Sequence, residues 1–126
     1  MFFGKDDELN GKIAKLQDYC RSKFTKAHLV EIHSQEQQDY LVKRIYEIER
    51  STGKQRDWWI GLTDEKVEGE WVWDSSKKKL EYDSWNSRPT SNTNENYAYM
   101  ERDYMYKWQM APKTYNGIWP ICQIVE

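Results

Sequence analysis

The sequence has few of the residues that catalysis, metal binding or membrane insertion would require. Its 126 residues include two histidines, two cysteines and three prolines. No apolar run approaches the roughly twenty residues that span a bilayer, so we expect no membrane insertion. His28 and His33 are an odd number of residues apart in an extended stretch, which would turn them to opposite faces. They are poor candidates for a shared metal site or a catalytic pair, and we do not expect the protein to be an enzyme.

We expect a mature form without a signal peptide, and the two cysteines allow only one intramolecular pair. Met1-Phe2-Phe3 is far shorter than a secretion signal, so a secreted protein would be present here in its mature form. One intramolecular disulfide, between Cys20 and Cys122, would close a loop of about a hundred residues. The alternative is two unrelated buried thiols in a cytosolic protein. The spacing alone does not decide between them.

Aromatic residues, in contrast, are abundant. Seven tryptophans, nine tyrosines and three phenylalanines supply large side chains for one core. We therefore expect a single compact domain over residues 1–126, although the high charge is also typical of disordered chains. The net charge of -2 gives no reason to expect a nucleic-acid partner. The segment Ser75-Ser76-Lys77-Lys78-Lys79 is interpreted as a solvated turn and not as a heparin or RNA site.

Helical patterns occupy the first part of the chain. One stripe at helical spacing is formed by Leu9, Ile13, Leu16 and Cys20. Ser34 and Gln37 have the spacing of a capping box, and they precede a second helical pattern that ends near Gly53. The predicted inner face of this second helix consists of Leu41, Ile45 and Ile48.

Strand patterns follow after residue 55. They cover residues 58–62, 71–73, 97–100, 104–108 and 118–125. Helices followed by strands indicate an α+β fold and not repeated βαβ units. Residues 83–96 form a long polar segment, which is typical of a binding loop or of a disordered excursion.

Taken in order, several motifs resemble a C-type lectin-like domain. They are Tyr19-Cys20, the segment from His28 to Ser34, Trp58-Trp59-Ile60-Gly61-Leu62, Glu70-Trp71-Val72-Trp73 and Pro120-Ile121-Cys122. The resemblance implies the short form of that fold, with two helices, a small looped antiparallel sheet and a long binding loop. It also implies an extracellular, secreted protein with Cys20 bonded to Cys122. The family's second disulfide is absent, because its cysteines would fall at Tyr97 and near Lys113.

The resemblance further implies where calcium would bind. Sugar-binding members hold the ion with a proline motif, a later glutamate and an Asn-Asp pair after a tryptophan. The corresponding segments are Arg88-Pro89-Thr90, Glu95 and Gln109-Met110. Calcium prefers six to eight oxygen ligands, several of them anionic, so we expect no calcium at this primary site. A weak auxiliary calcium site is implied at Asp64, Glu68 and Glu95; otherwise Asp64 and Glu68 are ordinary turn residues.

Sugar binding without calcium is the leading functional hypothesis. Arg88 would take the place of the ion, form an ion pair with Glu95 and offer hydrogen bonds to N-acetylhexosamine or galactose-type glycans. Trp85, Trp108 or a nearby tyrosine would supply the apolar face, and Thr90 and Gln109 complete the predicted site. Some invertebrate lectins of the family resemble this Arg-Pro arrangement, although threonine after the proline makes the match partial. The alternative is an exposed arginine in a degenerate loop.

Other binding functions remain open from the residues. A protein-recognition module that has lost sugar binding would use the aromatic residues Tyr104, Tyr106 and Trp108. Ice or mineral binding would rest on the polar run Thr90-Ser91-Asn92-Thr93. Glycans or glycoproteins are the expected partners, with neither nucleic acid nor a membrane. A non-covalent homodimer is also expected, since lectins gain avidity from several sites.

Overall fold

The computed structural model describes residues 2–3, 19–22, 26–90, 94–112, 115 and 117–124. Residues 19–22 are helical, and a long helix, α1, covers Gln35–Thr52. The strands are β1 (Phe2–Phe3), β2 (Ala27–Leu29), β3 (Asp57–Thr63), β4 (Val72–Trp73), β5 (Tyr97–Glu101), β6 (Lys107–Ala111) and β7 (Ile118–Ile124). Leu9, Ile13 and Leu16 of the predicted first helix lie outside the described residues, whereas Cys20 is buried within the helical segment.

Helix α1 begins and ends at the predicted residues. The Ser34 side chain accepts a hydrogen bond from the Gln37 backbone N–H at 3.2 Å. The Gln37 side chain reaches back to the backbone N–H of His33, one residue earlier than in a regular capping box. Gly53 ends the helix with a φ of 72° and donates its N–H to the Glu49 carbonyl. The buried face contains Leu41 and Ile45, as predicted, and also Gln38, whereas the predicted Ile48 is only half-buried.

The strands form one mixed sheet in the order β1-β7-β3-β5-β6, with β2 paired to β7 and β4 to β3. Only the β3–β7 pairing is parallel among these described pairs. The α+β prediction is therefore confirmed, with a mixed sheet where the resemblance implied an antiparallel one. The predicted strand at 104–108 is misplaced: residues Arg102–Tyr104 form a 3-10 turn and β6 begins at Lys107. Tyr104 and Tyr106 belong to the chain reversal between β5 and β6. Their alternation is the pattern that a strand would also show.

Strand β3 lies between two apolar clusters. Trp58, Ile60 and Leu62 belong to the cluster beneath α1, whereas Trp59 belongs to the cluster around the cysteines. A strand covered on both faces needs apolar residues at every position, which accounts for its continuous apolar sequence.

The predicted disulfide is present, since Cys20 is bonded to Cys122 across a sequence separation of 102 residues. Cys122 lies in β7, and its Cα partners are Phe2 in β1 and Leu29 in β2. The bond therefore holds the helical segment at residues 19–22 against β7, which also pairs with β1 and β2 from the first part of the chain.

Candidate functional site

The first residues of the long loop are fixed to β6 by backbone hydrogen bonds. The Trp108 N–H donates to the Ser84 carbonyl at 2.9 Å, and the Asn86 N–H donates to the Trp108 carbonyl at 3.0 Å. Trp85 and Trp108 form an isolated parallel bridge between these two bonds. The sheet thus positions Trp85 at the point where the loop departs.

Trp108 is enclosed by other aromatic rings. Its ring makes edge contacts with Trp73, Trp85 and Tyr82 at centroid distances of 5.8, 5.7 and 6.0 Å. Its indole N–H donates to the Gln38 side chain at 3.0 Å, and the residue is 0% exposed. The prediction that Trp108 offers an apolar face to a sugar is wrong, because no part of the ring reaches the surface.

Trp85, unlike Trp108, is partly exposed. Its ring packs edge-on against Trp71 at 5.1 Å and against Trp108, and it is only half-buried. These two contacts fix its orientation while leaving part of its surface open. Gln109 does not join it, because Trp108 and Gln109 are consecutive in β6 and point to opposite faces of the sheet.

The Arg-Pro-Thr motif lies at the surface. Arg88 and Thr90 are exposed, and Glu95 is half-buried. The predicted Arg88–Glu95 ion pair is wrong, since the ion pairs among residues 26–90 and 94–112 do not join these side chains. An exposed pair gains little free energy in water, so nothing compels the guanidinium to fold back. Residues 91–93, on which the ice-binding alternative depends, lie outside the described residues.

Tyr97 begins β5 at the base of the long loop, where the resemblance places a cysteine. Its side chain is buried, and its hydroxyl donates a hydrogen bond to the Glu65 carboxylate. Burial, with a further contribution from Glu65, raises the pKa of Tyr97 far above its ordinary value. A hydrogen bond thus ties the base of the loop to the residues after β3. The predicted partner position, Lys113, lies outside the described residues.

Asp64 and Glu68 are brought together after β3. A hydrogen bond with Asp64 raises the pKa of the Glu68 carboxyl, and the negative charge of Asp64 adds to the shift. The Asp64 Oδ2 atom accepts from the Gly69 N–H at 2.9 Å, while its buried Oδ1 has no hydrogen-bond partner in the described part of the chain. Two adjacent carboxyl groups, one of which has a buried oxygen without a partner, would supply two ligands to a cation.

Glu95 does not complete this pair. Among the described residues, no three histidine, cysteine, aspartate or glutamate side chains are grouped as metal ligands. The predicted set of Asp64, Glu68 and Glu95 is therefore corrected to Asp64 and Glu68. Two carboxylates are well short of the ligand number that calcium prefers.

A groove that the sequence patterns do not predict lies beside α1. It has a volume of about 650 Å³ and is lined by one face of α1 together with Ser84, Met105 and Lys107. We call it the α1 groove; its helical lining residues are Gln35, Gln38, Asp39, Val42, Lys43, Tyr46 and Arg50. The helical spacing of Val42, Tyr46 and Arg50 was the available signal, but periodicity does not show what faces them.

Comparison with known proteins identifies the family. The profile described as "Lectin C-type domain" matches residues 10–122. A curated protein named "C-type lectin" from Micrurus corallinus is 31% identical over 98 residues, covering 75% of this chain and 59% of that protein. The chain spans less than two thirds of the length of this and other curated relatives.

Solved structures have the same fold. The carbohydrate-recognition domain of cow CD23, crystallised in the presence of a GlcNAc2Man3 oligosaccharide, is 28% identical with a TM-score of 0.73, covering 99% of this chain and 87% of that one. Herring type II antifreeze protein is 21% identical with a TM-score of 0.74, covering 99% and 90%. The second likeness concerns the fold alone. No helix within the described residues is long and apolar enough to cross a membrane.

Proposed function

Because this chain belongs to the C-type lectin domain family, we propose that it is an extracellular carbohydrate-binding protein that binds N-acetylhexosamine or galactose-type glycans without calcium at the primary site. Glycans or glycoproteins are its partners, and its role is binding, not catalysis. The oligosaccharide named with the cow CD23 structure supports a sugar as the ligand class.

The position of Trp85 is the observation that carries this proposal. Its partly exposed ring is held by Trp71 and Trp108 three residues before Arg88. An aromatic face packs against the apolar face of a sugar ring, and a nearby guanidinium donates hydrogen bonds to hydroxyl or acetamido oxygens. Thr90 and Glu95 supply a hydroxyl and an acceptor in the same loop.

The calcium requirement is tested by a glycan array probed with and without EDTA. We expect the signal to survive the chelator, because Arg88 and Met110 stand where anionic ligands would be needed. A signal that disappears in EDTA and returns with calcium would overturn calcium independence.

The role of Arg88 is tested by Arg88→Ala, with Arg44→Ala as the matched control on α1. We expect Arg88→Ala to weaken glycan binding by about tenfold, since it removes charge-assisted hydrogen bonds. The midpoint of thermal unfolding should stay unchanged, because Arg88 is exposed. Equal affinity of the two variants for the glycan would exclude Arg88 from the site.

We propose that a calcium ion binds weakly at Asp64 and Glu68, where it stabilises the loop and does not contact the sugar. A calcium titration followed by NMR should shift the amides of Asp64, Glu68 and Gly69, with a millimolar dissociation constant that suits a site of few ligands. Asp64→Asn should abolish the shifts. Unchanged spectra at saturating calcium would remove the ion from the proposal.

Protein recognition is the second candidate, and a glycan array without any signal would favour it. Its supporting observation is the exposed pair Tyr104 and Met105, whereas Tyr106 and Trp108, predicted for such an interface, are buried. A non-covalent homodimer is proposed for either function because paired sites raise avidity. Light scattering that gives the monomer mass at working concentration would contradict it.

A further inference from the structure

The α1 groove has an apolar floor. Val42 and Tyr46 come from α1, and Met105 comes from the turn between β5 and β6. Tyr46 is 39% exposed and Met105 is 73% exposed, which is unusual for large apolar side chains. The volume of about 650 Å³ lies within the range of ligand-binding clefts.

An uncommon backbone conformation places Met105 beside the groove. Met105 and Tyr106 have φ values of 57° and 64°, in the left-handed region that non-glycine residues rarely adopt. The Gln38 side-chain amide holds the turn by donating to the Tyr106 carbonyl at 3.1 Å. The Tyr106 ring is buried and contacts Tyr46 edge-on at 5.5 Å. Conformations of this kind persist where surrounding contacts fix them, often at functional surfaces.

The groove is positively charged, although the whole chain carries a net charge of -2. Lys43, Arg50 and Lys107 line it together with a single acidic residue, Asp39. None of the three cations belongs to an ion pair within the described part of the chain. The Asp39 carboxylate already accepts a hydrogen bond from the Gln35 amide at 2.8 Å.

The amide side chains of the groove are occupied. The Gln35 side chain bonds both Asp39 and Tyr82, and the Gln38 side chain bonds both Tyr106 and Trp108. A sugar hydroxyl would need free acceptors as well as free donors, whereas the groove mainly leaves free the cationic donors of Lys43, Arg50 and Lys107, which suit carboxylates. Methionine adapts its shape to different apolar side chains, which suits a peptide contact.

We propose that the α1 groove binds an acidic peptide segment of a partner protein that inserts one apolar side chain between Val42, Tyr46 and Met105. The surrounding acidic residues pair with Lys43, Arg50 and Lys107. An apolar centre within a charged rim is the usual anatomy of such an interface. The lining shares no residue with Trp85, Arg88, Thr90 or Glu95, so the inference stands apart from glycan binding.

The direct test uses a synthetic pentapeptide with a central phenylalanine between two pairs of glutamates, titrated into the ¹⁵N-labelled protein. We expect the amide shifts to concentrate at Val42, Tyr46, Met105 and Lys107. A peptide with serine in place of phenylalanine should bind roughly tenfold more weakly, because it buries no apolar side chain. Equal binding of the two peptides, or shifts elsewhere on the surface, would overturn the proposal.

Charge is tested with two matched double variants. Lys43→Gln with Arg50→Gln should weaken binding of the phenylalanine peptide about fivefold, whereas Lys78→Gln with Lys79→Gln, which removes equal charge from an exposed turn, should change it less than about twofold. Equal weakening by both would indicate non-specific attraction and contradict the groove. A sulfated oligosaccharide that shifts the groove residues when the peptide does not would also overturn it.

The glycan array separates this site from the loop. The Lys43→Gln, Arg50→Gln protein should keep any glycan signal, and Arg88→Ala should keep its affinity for the peptide. Loss of both activities in either variant, with an unchanged unfolding midpoint, would contradict two independent sites.

Discussion

Glu31 is a buried carboxylate with several hydrogen-bond partners. It is 7% exposed and accepts bonds from the Ser75 hydroxyl and from both the N–H and the hydroxyl of Ser76, while His33 Nε2 lies 2.8 Å away. Burial alone would raise the pKa of Glu31, but the hydrogen bonds from Ser75, His33 and Ser76 together lower it below its ordinary value. The ionised form therefore ties the segment before α1 to the turn after β4.

This shift predicts a loss of stability in acid. Because the pKa of Glu31 is lower in the folded than in the unfolded protein, its contribution is complete above the unfolded pKa and is lost as the pH falls through the folded value. We expect the urea concentration at the midpoint of unfolding to decrease when the pH is lowered below about 4. Glu31→Gln should lower the midpoint at pH 7 and reduce its acid dependence, whereas Glu70→Gln, at an exposed position, should do neither. An unchanged acid dependence in Glu31→Gln would assign the effect to other carboxyls.

Gln38 links α1 to the loop base through two buried hydrogen bonds. Its side chain donates to the Tyr106 carbonyl and accepts from the Trp108 indole. Gln38→Leu would leave both partners buried and unsatisfied, so we expect a loss of about 1–3 kcal/mol in the free energy of unfolding. Gln35→Leu, at an exposed position, should cost less than about 0.5 kcal/mol. Similar costs in urea denaturation would contradict the structural role of the buried amide.

These residues show how far the sequence alone predicts the site. Ser34 and Gly53 predict the ends of α1, because the N-terminal cap needs a side-chain oxygen and the C-terminal cap needs a positive φ. The strand pattern around Trp108 does not show that Trp73, Trp85 and Tyr82 enclose it. A glutamine in a polar helix gives no sign of burial, and methionine and tyrosine give no sign of a left-handed turn.

At the level of elements, β3 and β2 approach closely at Gly61. The Gly61 N–H donates to the Val30 carbonyl at 2.9 Å, and the Asp74 N–H donates to the Gly61 carbonyl at 2.7 Å. A Cβ atom at this position would lie 3.1 Å from the Leu29 carbonyl oxygen and 3.3 Å from the Leu29 Cβ. The glycine in the Trp-Ile-Gly-Leu motif thus allows the contact between strand and preceding segment.

Gly61→Ala should therefore be destabilising despite its small size. Because the added methyl group meets backbone on one side, we expect a loss of about 1–3 kcal/mol in the free energy of unfolding, measured by urea denaturation. Gly53→Ala provides a contrast, since its Cβ meets nothing within 4 Å and its cost would come from the positive φ alone. A Gly61→Ala protein as stable as the parent would show that Leu29 and Val30 move aside freely.

At the level of the whole molecule, β7 joins parts of the chain that are distant in sequence. It pairs with β1 along one edge and with β2 along the other, since both pair with Cys122, and it also pairs in parallel with β3. The family resemblance implied a small sheet and the Cys20–Cys122 bond but no strand partners, and hydrophobic periodicity carries no information about strand pairing. The sequence does not predict the α1 groove, because the groove depends on the turn at Met105 and Tyr106, whose left-handed conformation these residue types do not indicate.

The disulfide at this junction should supply a large share of the stability. Cross-linking residues 102 positions apart removes much of the conformational entropy of the unfolded chain. We expect Cys20→Ala with Cys122→Ala to lose about 4 kcal/mol in the free energy of unfolding, and the denaturant dependence to steepen because the unfolded chain expands. A reducing agent should destabilise the parent by a similar amount and leave the double variant unchanged. A loss below about 1 kcal/mol would mean that the paired strands alone constrain the ends, since the entropic contribution of so long a loop should exceed that value.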